Sequence, residues 1–146
     1  MKLSEDMVDN IKNHFGYNDE EMGTWLKNPR NHDVMSKSLK LMGKTIVIEV
    51  VESHGCNSLH KVGDKFYFDG AGNLLTKLSP KKICIYALSA VEKLIFSANE
   101  LLYEDIDPNN MRFKRVGCTA DVGLKCGGWG RIILEIKVED RNKLRL

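Results

Sequence analysis

The run Thr45-Ile-Val-Ile-Glu-Val-Val51 limits the possible folds more than any other part of the chain. Its β-branched residues lose side-chain freedom in a helix and pack well on a pleated surface, so the run predicts a strand. It leads into a polar segment, residues 52–64, that holds His54, Cys56 and His60 and ends in Lys61-Val-Gly-Asp64. That ending predicts a turn, with Gly63 in the special backbone conformation and Asp64 bonding neighbouring amides. A second strand is expected at Phe66-Tyr-Phe68, followed by a glycine-containing loop from Asp69 to Asn73.

Ser79-Pro80 predicts the start of a long helix, with serine as cap and proline at the first helical position, running to about Leu102. Cys84, Leu88, Val91, Ile95 and Ala98 share one face, widened by Ala87 and Leu94, which puts Cys84 in the first turns. Asp107–Asn110 predicts a turn. Further strands are expected at Met111–Val116 and Ile132–Val138, joined by a cysteine- and glycine-rich loop over 117–130.

Ahead of the first strand, three short amphipathic helices are predicted. Ser4 caps the first, which carries Met7, Val8, Ile11 and Phe15 and stops at Gly16. Asn18 and Glu21 form a capping box before Met22, Trp25 and Leu26, and Asn28-Pro29 ends that helix. Asp33 opens the third, with Val34, Met35, Leu39 and Met42. The order predicts an α+β fold, a mostly antiparallel sheet packed by one long helix. Residues 1–43 form a small N-terminal helical region and 44–146 a cysteine-containing α+β domain.

Such short helices are marginal alone, so their apolar faces must be covered by the rest of the chain, a protein partner or a second copy in a homo-oligomer. With 42% apolar and 29% charged residues and a formal charge of +2, the chain lacks the basic stripe of a nucleic-acid binder. No apolar run approaches the roughly 18 residues of a membrane span, and the N-terminus has no signal-peptide core. A cytoplasmic location is therefore expected, where cysteines are free, metal-bound or reactive rather than paired.

Cys56, Cys118 and Cys126 fall in glycine-flanked loops beyond predicted strands, and Cys84 falls near a helix start. Thiolates suit zinc and iron–sulfur clusters, and His54 or His60 can add nitrogen. No Cys-x-x-Cys occurs. The candidate metal ligands are Cys56, Cys84 and Cys118, with Cys126 or His60 as the fourth. A metal-free alternative uses Cys84 as a nucleophile, its thiolate favoured by the helix N-terminus, Lys81 and Lys82, with His60 as base or another cysteine as redox partner. Against both stands a plainer reading of Cys84 as a small residue on the apolar stripe. Asp121 can orient a ligand histidine or close a turn. Gly127 and Gly128 permit close approach of a ligand or another strand, and Trp129 can wall a cofactor or small-molecule pocket or plug the core.

Cys56-x-x-x-His60-Lys-Val-Gly-Asp64, then Lys82-Ile-Cys84, then Val116-Gly-Cys118 with Asp121, resembles a family of small uncharacterised bacterial and archaeal proteins. Its members carry a cysteine before a His-Lys-x-Gly-Asp element, a second at a helix start and a third near an aspartate. The resemblance covers roughly residues 45–138. The family's frequency in anaerobes implies a metal- or iron–sulfur-binding protein with a redox or accessory role in anaerobic metabolism. Where shorter members have Cys-Pro-Asp, this chain has Cys118-Thr-Ala-Asp121, and it adds Cys126. A small Cys/His enzyme and a non-catalytic interaction module are the other readings the residues allow.

Overall fold

The computed structural model describes residues 2–120, 123–128 and 130–141. The chain divides into two compact units, Met1–Leu39 and Lys40–Leu146. In the first, α1 (Glu5–Phe15) is capped by the Ser4 hydroxyl, which accepts the Met7 amide, and stops at Gly16 in the left-handed conformation. Helix α2 (Asp19–Leu26) opens on a reciprocal capping box between Asn18 and Glu21. Leu3, Ile11 and Met22 form a small core with Met7, Val8 and Trp25 packed on it.

Helix α3 (Pro29–Met42) starts four residues earlier than Asp33. The Asn28 side chain accepts the Arg30 amide at 3.0 Å, and Pro29 takes the first helical position, where its missing N–H costs nothing. Asn28-Pro29 therefore ends one helix and begins the next.

The second unit is an antiparallel sheet of four strands in the order β2-β1-β4-β3: β1 (Lys44–His54), β2 (Lys65–Asp69), β3 (Arg115–Gly117) and β4 (Arg131–Asp140). Ile46, Ile48, Val50, Phe66, Phe68, Ile132, Leu134, Ile136 and Val138 alternate onto one face. There they share a core with α4 (Ile85–Tyr103), which contributes Ala87, Val91, Leu94, Ile95, Ala98 and Leu102. The fold is α+β, with one long helix on an antiparallel sheet.

Beyond the early start of α3, two element starts in this unit lie well away from the sequence reading. Helix α4 begins at Ile85 rather than Pro80, because residues 74–79 run along the outer edge of β2. Leu75 donates to Tyr67 O at 2.7 Å and the Ser79 hydroxyl accepts the Tyr67 amide at 3.0 Å, so that serine caps a strand edge instead of a helix. Cys84 takes the cap position. Strand β3 is shorter than predicted because the Asn109 amide fills part of its place. Its Nδ2 donates to Val138 O at 2.8 Å and its Oδ1 accepts the Val138 amide at 2.9 Å, as a partner strand's backbone would.

Candidate functional site

The site begins with an irregularity in β1. Val50 pairs with Leu134 but Glu52 pairs with Ile133, leaving Val51 as an extra residue in a β-bulge. Side chains alternate along a strand, so one inserted residue exchanges the faces beyond it. Ser53, rather than Glu52, then pairs with buried Ile132. Its hydroxyl donates to the His60 carbonyl at 2.6 Å.

The connection from β1 to β2 is closed by Val50, which donates to Asp64 O and accepts from Gly63, both at 2.9 Å. Gly63 has φ +94°, and the Asp64 carboxylate accepts the Lys61 amide at 2.9 Å, as the Lys-Val-Gly-Asp turn requires. Within the connection, the Leu59 amide donates to Cys56 O at 3.0 Å. Leu59 has φ +61° and is 71% exposed, which is unusual for a non-glycine residue.

His60 is 3% exposed and lies edge-on to Phe66, with ring centroids 5.1 Å apart. Its Nε2 accepts the Cys84 amide at 3.3 Å, so the proton of the neutral ring sits on Nδ1. Nδ1 lies 3.9 Å from the Asp64 carboxylate. Burial holds the imidazole pKa below its ordinary value, opposed by Asp64 and assisted by Lys82. In this arrangement the Nε2 lone pair faces the Cys84 amide rather than the Cys84 sulfur. Its task is to hold the backbone at the head of α4.

Cys84 caps α4 with extended backbone, and its carbonyl accepts the Ala87 and Leu88 amides at 3.1 Å. Burial pushes its thiol pKa up, but the amides of Ala87 and Tyr86 and the Ser58 hydroxyl outweigh that and hold it below the usual thiol value. The sulfur closes no full capping hydrogen bond, so the amides act on it mainly as oriented dipoles. It is partly buried: one side packs against the core shared with Ala87 and Val91, as the apolar-stripe reading expects, and the other faces the cavity.

Cys118 extends the β3–β4 ladder. Its amide donates to Ile132 O at 3.1 Å and its sulfur accepts the Ile132 amide at 3.5 Å. Thr119 donates to Tyr86 O at 3.4 Å, tying this strand end to the first turn of α4. On the other side, Gly130 (φ +82°) crosses Gly55 so closely that a Cβ on it would lie 2.1 Å from the Gly55 carbonyl oxygen.

These elements enclose a cavity of about 300 Å³, lined among others by Cys56, Ser58, His60, Cys84, Cys118 and Arg131. Four of the five candidate ligands, Cys56, His60, Cys84 and Cys118, therefore line one cavity. Cys126 is exposed in the turn Leu124–Cys126 and does not line the cavity. Gly127 is the left-handed cap of that turn, and Gly128 donates to Gly123 O at 3.0 Å; neither lines the cavity. Within that glycine-rich loop, the close approach to another backbone belongs to Gly130. Asp121 and Trp129 lie outside the described residues. His54 is exposed at the end of β1.

Among the described residues, no three His, Cys, Asp or Glu side chains are arranged to hold a metal ion. A tetrahedral zinc site draws four ligands to within about 2.0–2.3 Å of one point, a tighter gathering than sharing a cavity wall. Ser53, Ser58, Gly55 and Arg131 were not singled out from the sequence. No local signal marks Gly55: its close approach to Gly130 follows from the His54–Arg131 pairing that ends the β1–β4 ladder. No protein-family model, curated protein or solved structure matches the chain.

Proposed function

We propose that the protein uses Cys84 as a thiolate nucleophile toward a soft electrophile admitted to the cavity. The observation that carries this reading is the placement of a partly exposed cysteine at the head of a 19-residue helix, on the wall of a cavity, with its pKa lowered despite burial. Ser58 and the first-turn amides stabilise the charged sulfur. His60 and Ser53 hold the helix head and the Cys56 loop in register, as positioning residues.

Selective alkylation tests it. Iodoacetamide across pH 5 to 9, with peptide mapping, is expected to modify Cys84 ahead of the other cysteines, with a rate midpoint below that of an ordinary thiol. Slow modification of Cys84, or a midpoint at or above the ordinary value, overturns the reading.

A second reading is favoured by the three sulfurs of Cys56, Cys84 and Cys118 on one cavity wall. They form a soft donor set that suits an iron–sulfur cluster or zinc if ligand binding draws the walls together. Protein purified without oxygen would then carry stoichiometric iron with visible charge-transfer absorption, or stoichiometric zinc. Metal bound in that ratio, protecting Cys84 from alkylation, would replace the nucleophile reading. A redox role remains open to either chemistry.

A further inference from the structure

We infer that Cys56 and Cys84 form an exchangeable dithiol that reduces disulfide-bonded substrates, Cys84 attacking and Cys56 resolving. This deepens the nucleophile reading of Cys84 and rests on it. The choice of resolving thiol comes from how the two remaining cavity cysteines are held. Cys118 is locked into the sheet, since its amide and its sulfur both bond the Ile132 backbone. Turning its sulfur toward Cys84 gives up the bond from the Ile132 amide.

Cys56 is held differently. It lies beyond the end of β1, at the head of the turn closed by the Leu59 amide, and its sulfur has no hydrogen-bond partner among the described residues. The same loop shares the cavity wall with Cys84, through Cys56 itself and through Ser58 two residues further on. Leu59 holds a left-handed backbone at φ +61° that is costly for a non-glycine residue, in a turn that no strand pairing fixes. A disulfide needs its two α-carbons within about 7 Å, and a strained turn can meet that demand where a paired strand cannot.

The chemistry balances without a metal. The Cys84 thiolate attacks one sulfur of a substrate R–S–S–R′, the substrate S–S bond breaks, and R′–S⁻ leaves and takes a proton from water. Cys56 gives its proton to solvent and attacks the Cys84 sulfur of the mixed disulfide, expelling R–S⁻ and forming the Cys56–Cys84 disulfide. Two electrons pass from the protein dithiol to the substrate. An external dithiol reductant then restores both cysteines and becomes a disulfide itself.

The test uses the reduced, chelator-treated full chain and oxidised glutathione as the probe, quenched with acid and peptide-mapped. The wild type is expected to end with a Cys56–Cys84 disulfide and only a trace of retained glutathione, reversed by dithiothreitol. Cys56→Ser is expected to trap glutathione on Cys84 in most molecules, and Cys118→Ser to behave as wild type. Retained glutathione on wild-type Cys84, a Cys84–Cys118 cross-link, or no reaction overturns the inference. The wild-type map needs no variant, and Cys56→Ala with a circular-dichroism check covers a folding defect in Cys56→Ser. Iodoacetamide reactivity of Cys84 in Cys56→Ser separates the two failures. If it persists, only the resolving role is lost; if it is absent from both proteins, the nucleophile reading falls as well.

Discussion

Replacing His60 by phenylalanine keeps a ring against Phe66 but removes the acceptor of the Cys84 amide. Orphaning this part-buried N–H costs at most about 1–3 kcal/mol, and the more apolar phenyl ring returns part of that by burial. A net loss of about 1–2 kcal/mol is expected at pH 7, or a fall of roughly 0.5–1 M in urea midpoint for a typical m-value. The wild type also carries a pH dependence that the variant lacks. Burial lowers the folded-state pKa of His60 below the ordinary 6.5, so between those values the unfolded chain binds a proton that the folded chain refuses. The stabilisation by neutral His60 is complete above pH 6.5 and is lost as pH falls through the folded-state pKa, by at most about 1.4 kcal/mol per pH unit. The gap between wild type and variant should therefore be widest near neutrality and narrow in acid. Urea titrations from pH 5 to 8, followed by NMR methyl signals of Ile46, Ile48 and Leu134, report on this unit's core. Equal midpoints at pH 7, or a gap that does not change with pH, refutes the reasoning.

Two further substitutions probe backbone features. Gly130→Ala places a methyl 2.1 Å from the Gly55 carbonyl oxygen at φ +82°, so about 2 kcal/mol or more of stability should be lost; an unchanged thermal midpoint would show that the two loops do not cross as described. Asn18→Ala removes the side-chain acceptor of the Glu21 amide, leaving only the backbone half of the α2 capping box, and should cost about 1 kcal/mol, read from Trp25 fluorescence during urea unfolding. A variant within a few tenths of a kcal/mol of wild type would remove the cap from the account of that unit.

Much of the secondary structure is legible because its causes are local. Ser4, the Asn18–Glu21 pair and Asp64 act on amides within three residues, and the apolar period of 87–98 survives although the helix begins five residues late. The misplaced starts of α4 and β3 share one cause. Ser79 and Asn109 are polar side chains whose partners, Tyr67 and Val138, lie 12 and 29 residues away, and each serves a strand edge that no local pattern reveals.

By itself the sequence determined that a β-branched strand, a glycine-punctuated connection and a long apolar-striped helix would make an α+β unit, since period and capping are properties of neighbours. Only the tertiary structure decided which cysteines meet. The bulge at Val51 turned Ser53 inward, the Gly55–Gly130 crossing drew two loops together, and the edge contacts of residues 74–79 moved the start of α4 onto Cys84. Each depends on pairing between distant segments, and that pairing assembled Cys56, Cys84, Cys118 and His60 while leaving Cys126 outside.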